Sequence, residues 1–293
     1  MRSVTPAARA VPFAALLLIG AAWGATQPLA KVAVSEGYRH VGLLFWQLLI
    51  GAVVLCVIAR LMDRRIPVTP RHLRLYAVIA AIGSVLPGIT SYSAAVHLPS
   101  GVLSILLSSV PMLAFPVALV LGLERFRPAR LAGLALGLAG VALLVLPQEG
   151  LPPGVPALWV GVALMSSMFY ALEGNYVARF GTEGLGPVEA LAGAAVLGAV
   201  AVLPLALATV QFIAPRGPWG PPDRALVFSA LLHAGAYTGY VWLVGRAGAV
   251  FAVQVSYAVT LFGVLWAILF LHEGYSGWVW AACAVMLCGM ALV

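Results

Sequence analysis

Runs of about twenty residues with almost no charge recur along the whole chain, and they restrict its fold more than any other feature. A hydrocarbon layer about 30 Å thick is crossed by roughly 20 helical residues. In lipid each backbone N–H and C=O must be paired inside the structure, a condition a helix meets on its own. Cutting at charges, Pro/Gly clusters and the ends of apolar runs yields ten segments, near 11–34, 41–59, 73–96, 100–123, 131–146, 155–177, 187–210, 225–244, 247–271 and 276–293. The joins at 97–99 and 245–246 are so short that their flanking segments must form antiparallel hairpins. Arg2 and Arg9 precede the first run as in a signal peptide, but that run is too long and no A-x-A site follows, so it is expected to span. Of the 293 residues, 63% are hydrophobic and 9% charged, against about 25% charged in a soluble domain. A soluble fold and an extramembrane catalytic domain are thereby excluded, and an all-α integral membrane protein of ten transmembrane helices is expected.

Sixteen Lys and Arg against nine Asp and Glu leave a net charge of +7. In a soluble protein that excess could mean nucleic acid; in lipid it is first a topology signal, because basic loops stay cytoplasmic. With the N-terminus inside, Arg2, Arg9, Arg60, Arg64, Arg65, Arg71, Arg74, Arg125, Arg127, Arg130, Arg179 and Arg246 fall inside, and Lys31, Arg39, Arg216 and Arg224 outside. Both termini are therefore expected in the cytoplasm, and nucleic acid is not expected as a partner. Cys56, Cys283 and Cys288 lie in apolar runs without zinc or redox spacing and are read as small apolar residues.

Leu98–Leu144 laid on Ala247–Val293, an offset of 149, pairs Val110 with Val259, Ala118 with Ala267, Gly140 with Gly289 and Glu124 with Glu273. Both glutamates end a long apolar span and precede a turn and a small-residue helix. Five spans separate them, and an odd number inverts the second copy, the arrangement of alternating-access transporters with a midplane site. The expected halves are 1–146 and 147–293.

Trp23-Gly24, the run Ser100-Gly101-Val102-Leu103-Ser104-Ile105-Leu106-Leu107-Ser108-Ser109-Val110-Pro111, and Leu121-Gly122-Leu123-Glu124-Arg125 followed by Gly133, Gly137 and Gly140 resemble the EamA repeat of the drug/metabolite transporter superfamily. The resemblance covers nearly the whole chain. It implies two inverted five-helix halves around a central cavity, and export of amino acids or other small metabolites; exporters of aromatic amino acids belong to this group. The second half departs from the pattern, with Thr260 in place of Pro111 and Tyr257 in place of Ser108, so the halves are expected to bend differently.

Polar side chains inside spans need partners or a water-filled cavity. His233, Tyr237 and Tyr240 share one helical face, as do Ser166, Tyr170 and Glu173. Gln254 and Tyr257 share a face in the ninth segment, Trp23 and Gln27 in the first, and Ser84, Gly88, Ser91 and Tyr92 fall together in the third. The substrate-binding candidates are Trp23, Gln27, Ser91, Tyr92, Tyr170, Glu173, His233, Tyr237, Tyr240, Gln254 and Tyr257. Each has a plainer reading: serines can bond back to their own helix, tyrosines can anchor at the interface, and Glu173 can pair with Arg179. Glu173 can instead receive a substrate ammonium or carry a proton. Pro87, Gly88 and Pro111 interrupt the third and fourth spans and are hinge candidates; Gly133 and Gly137 let the fifth helix pack closely.

Aromatic walls with hardly any charge disfavour sugar phosphates, which want Arg or Lys at depth. They favour a neutral or zwitterionic substrate with an apolar body, aromatic or hydrophobic amino acids first; drug-like cations remain open. No metal, cofactor or catalytic residue is expected. His272-Glu273-Gly274-Tyr275-Ser276 lacks the second histidine of a metalloprotease helix, and neither a P-loop nor a Gly-x-Ser-x-Gly elbow occurs. A channel or a membrane scaffold is the remaining alternative class. The expected partners are the small-molecule substrate, an amino acid or similar metabolite, and the lipid bilayer, and a monomer is expected. Ala, Gly and Arg in abundance with one lysine suggest a GC-rich genome and the bacterial inner membrane.

Overall fold

A computed structural model describes residues 6–147, 151, 153–214 and 217–293. Arg2 and Arg216, counted above for orientation, lie outside the described residues, as do residues 148–150 and 152 of the join between the expected halves. The described residues form α1 (Pro6–Ser35), α2 (His40–Leu61), α3 (Pro70–Ala80), a π turn (Ala81–Val85), α4 (Leu86–His97), α5 (Ser100–Leu107), α6 (Val110–Val120) and α7 (Pro128–Val145). The chain continues through α8 (Leu158–Phe180), α9 (Pro187–Ala208), α10 (Pro221–Ala247), α11 (Ala249–Ala252), α12 (Val255–Leu271) and α13 (Gly277–Leu292). Proline opens α3, α7, α9 and α10, where its missing N–H costs nothing and its fixed φ already suits a helix. Gly181 and Gly248 end α8 and α10 at φ 75° and 87°, a backbone that glycine adopts without strain.

Among the described residues, seven stretches are long and apolar enough to cross a membrane: Val11–Ser35, His40–Leu61, Pro70–His97, Ser100–Val120, Pro128–Val145, Pro187–Ala208 and Pro221–Ala247. α12 and α13 are shorter apolar helices, and α8, at 23 residues, carries Glu173, Asn175 and Arg179. The third stretch passes through the π turn, with Pro87 in the first turn of α4. The fourth bends at Ser108–Ser109, with Pro111 in the first turn of α6. Both hydroxyls there return to carbonyls of α5, Ser108 Oγ to Ile105 O (2.7 Å) and Ser109 Oγ to Leu106 O (2.6 Å). In the later half α10 runs unbroken for 27 residues with Ala236 at the position 149 beyond Pro87. The third stretch and its counterpart α10 therefore bend differently, because the proline occurs in only one of them, while the later half breaks instead at Val253–Gln254 without a proline.

The principal packing pairs join helices before residue 146 to helices after it: α1 on α10 and α12, α2 on α9 and α10, α3 on α9, α4 and α6 on α8, α5 on α12, and α7 on α13. The last pair meets through glycines. A Cβ at Gly133 would lie 2.6 Å from Gly289 O, and one at Gly289 would lie 2.7 Å from Gly133 O, so the backbones touch where any side chain would hold them apart.

The bundle has two chemically different ends. Arg64 pairs with Glu189 (3.7 Å), Arg71 with Glu183, and Arg130 with Glu124 (2.9 Å) at the arginine-rich end. At the other, Tyr38 donates to Asp223 (2.5 Å), Gln211 Oε1 accepts from Val41 N (3.2 Å), Trp46 Nε1 donates to Ile213 O (2.8 Å), and Lys31 Nζ donates to Ala95 O (2.8 Å). Burial and the bond to Asp223 push the Tyr38 phenol up to about 12.

Candidate substrate cavity

Between α1, α2, α4, α6, α8, α9, α10 and α12 lies a cavity of about 440 Å³. α1 contributes Trp23, Thr26 and Gln27; α2, Gln47 and Gly51; the π turn and α4, Gly83, Ser84, Gly88, Ser91 and Tyr92; α8, Tyr170 and Glu173; α10, Ser229, His233, Tyr237 and Tyr240. Ser256, Val259 and Thr260 of α12 close another wall, and Leu107, Val110 and Pro111 place the bend between α5 and α6 against the same space.

One wall is a cluster of rings. Trp23 lies edge-on to His233 (centroids 6.0 Å apart) and to Tyr237 (6.3 Å), and is tilted against Tyr240 (5.7 Å). These contacts follow from the i, i+4, i+7 spacing on α10, which presents three rings in a column to the indole on α1. Trp23 Nε1 also donates to His233 Nδ1 at 3.2 Å.

Glu173 is the carboxylate among the cavity-lining residues, which include no lysine or arginine. Its stem rests on the π turn: a Cβ at Gly83 would lie 2.9 Å from both Cγ and Cδ of Glu173. Tyr170 and Tyr237 line the same cavity, and among the described residues Glu173 makes no ion pair. Arg179, the alternative partner read from the sequence, sits instead with its guanidinium 5.7 Å from the Phe180 ring. Six residues and more than a full turn past Glu173, it cannot reach back to that face.

The structure brings Trp23, Gln27, Ser91, Tyr92, Tyr170, Glu173, His233, Tyr237 and Tyr240 to the cavity, with Gly88 and Pro111 of the hinge candidates. Pro87 is buried one residue from Gly88 without lining it. Gln254 and Tyr257 do not reach the cavity. The helix breaks at Val253–Gln254 and restarts at Val255, so the face extrapolated through Gln254 is not continuous; Gln254 is exposed and Tyr257 packs against the core. Gln47 was not anticipated from the sequence. It accepts from the Tyr92 hydroxyl, and the available signal was its isolation as the one amide in the apolar run 41–59. Gly83 was equally silent, since its value is the room it leaves for a side chain on another helix.

A family model described as "EamA-like transporter family" matches residues 12–146 and 157–293. A probable terminal-alkyne amino-acid exporter from Streptantibioticus cattleyicolor is 26% identical over 168 residues, 57% of this chain. The chain thus spans 56% of that relative's length. One crystal structure shares the fold at a TM-score of 0.64 and 23% identity, covering 99% of this chain and 98% of that one.

Proposed function

Starting from the fact that the chain belongs to the EamA-like transporter family, we propose that it is a secondary transporter exporting small neutral or zwitterionic metabolites, aromatic or hydrophobic amino acids first among them. The observation that carries this reading is the composition of the cavity: a column of rings and one carboxylate, with no lysine or arginine among its lining residues. Rings stack on an apolar body and their faces attract an ammonium, while Glu173 supplies its counter-charge. A sugar phosphate would find no guanidinium or ammonium there.

Ten spans in two inverted halves, 1–146 and 147–293, supply the mechanism of alternating access. Two facts support that arrangement. The family model matches once in each half. The packing pairs also map onto one another when helices are exchanged between halves: α1 on α10 corresponds to α8 on α4, α1 on α12 to α8 on α6, and α3 on α9 to α10 on α2. The bends at the π turn with Pro87-Gly88, and at Ser108–Ser109 with Pro111, serve as hinges in this reading. The arginine-rich end faces the cytoplasm of a bacterial inner membrane, with both termini inside.

The test is uptake of labelled phenylalanine, tryptophan and leucine into proteoliposomes. Saturable flux that Glu173→Gln diminishes is the expected result; no flux of any of the three would overturn the amino-acid reading. A changed pH profile in Glu173→Gln would assign the carboxyl a proton as well. The same assay with an aromatic cation tests the multidrug alternative, which the absence of a basic partner for a substrate carboxylate favours.

A further inference from the structure

We infer that His233 is a specificity-determining donor for the carboxylate of a zwitterionic substrate, and that Trp23 is the positioning residue that gives it this role; the inference rests on the substrate reading above. An indole N–H can only donate. Because Trp23 Nε1 donates to His233 Nδ1 at 3.2 Å, Nδ1 must be the acceptor, and the neutral ring carries its proton on Nε2. Hydrogen bonding at one ring nitrogen sets the tautomer at the other. The His233 ring lines the cavity, and among the described residues Nε2 has no partner. The wall therefore presents one N–H whose direction and polarity are fixed.

The other polar groups of the cavity lack that property. Hydroxyls and amides can turn to donate or accept, and Gln47 and Tyr92 are already engaged with each other. With no lysine or arginine in the lining, a substrate carboxylate must be met by neutral donors. His233 lies one helical turn from Tyr237 on α10, and both line the cavity that also holds Glu173. One cavity thus offers a donor at His233 on α10 and a carboxylate at Glu173 on α8, the two kinds of group that an α-amino acid requires. The ring cluster around Trp23 flanks the donor, where an apolar side chain would stack.

The test compares phenylalanine with phenethylamine, the same molecule without its carboxylate, in proteoliposomes. The readout is the ratio of their KM values. Trp23→Phe keeps a ring and removes the N–H that sets the tautomer, and His233→Leu removes the donor. His233→Leu is expected to raise the phenylalanine-to-phenethylamine KM ratio about tenfold, the discrimination of one hydrogen bond to a charged group, and Trp23→Phe, which leaves the donor but frees its tautomer, is expected to raise it by less. The double variant should be no worse than His233→Leu, since both changes act on one interaction. His233→Gln restores a donor amide and should recover most of the ratio even where Trp23→Phe folds poorly. An unchanged ratio in His233→Leu, or additive losses in the double variant, would overturn the assignment while leaving transport intact. Absence of flux for both probes in the unaltered protein would overturn the substrate reading and this inference with it.

Discussion

Glu124 and Glu273 stand 149 residues apart at matching helix ends, yet they do different work. Glu273 Oε1 accepts from Ser100 N and Ser100 Oγ, both at 2.9 Å, and Oε2 accepts from Gly101 N at 3.2 Å and from the Tyr275 hydroxyl. One carboxylate of the later half thus caps the start of α5 in the earlier half, where orphan N–H groups and the helix dipole favour an anion. Glu124 faces outward with 37% of its side chain exposed and pairs locally with Arg130. The difference follows from what comes next in the chain. Arg125, Arg127 and Arg130 follow Glu124, whereas Gly274, Tyr275, Ser276 and Gly277 follow Glu273 and offer no cation. A carboxylate with a guanidinium at hand is satisfied locally; one without must take donors from another helix.

Glu273→Ala should have the largest effect. Removing an acceptor that serves several donors between the halves should cost about 2 kcal/mol, measured as a fall in thermal stability in detergent. Tyr275→Phe comes next. Its hydroxyl accepts from Gly101 N at 3.1 Å and donates to Glu273, so its loss should cost about 1 kcal/mol; a loss equal to that of Glu273→Ala would mean the tyrosine, not the carboxylate, joins the halves. Glu124→Gln should shift the midpoint least, and 1 M salt should erase even that shift, because an exposed pair is screened.

The smallest effect is in pH. The hydrogen bond from the Arg130 guanidinium, with its charge, holds the Glu124 carboxyl below its usual value of 4.5. A carboxyl lowered in the folded state adds stability that is complete above its unfolded pKa and is lost as pH falls through the folded value. The small midpoint difference between the unaltered protein and Glu124→Gln should therefore hold from neutral pH down to about pH 5 and close below 4.5. A gap that widens on acidification would place Glu124 in some other contact.

How far each part of the molecule is legible in sequence follows the range of the interactions that make it. The column His233, Tyr237 and Tyr240 is a property of one helix and was readable from spacing alone. So was the face of Tyr170 and Glu173. Gln254 and Tyr257 stand outside the cavity lining, and Gln254 falls at the break before Val255, where neither proline nor glycine marks the interruption. The π turn before Pro87 shifts the register of Ser84 and Gly83, and that shift brings Gly83 under Glu173. No local pattern announces it.

The sequence by itself determined that the chain is helical and membrane-embedded, that the third and fourth spans are interrupted at their prolines, and which residues resist burial in lipid. Those are consequences of chain-local physics: backbone pairing in a medium without water, the missing N–H of proline, and the cost of a polar group in hydrocarbon. Only the tertiary structure decided that Trp23 donates to His233 across 210 residues, that Gln47 meets Tyr92, and that Glu273 rather than Glu124 joins the two halves. Such pairings depend on how helices stack, and stacking is set by the sum of many small contacts, among them the bare backbones of Gly133 and Gly289.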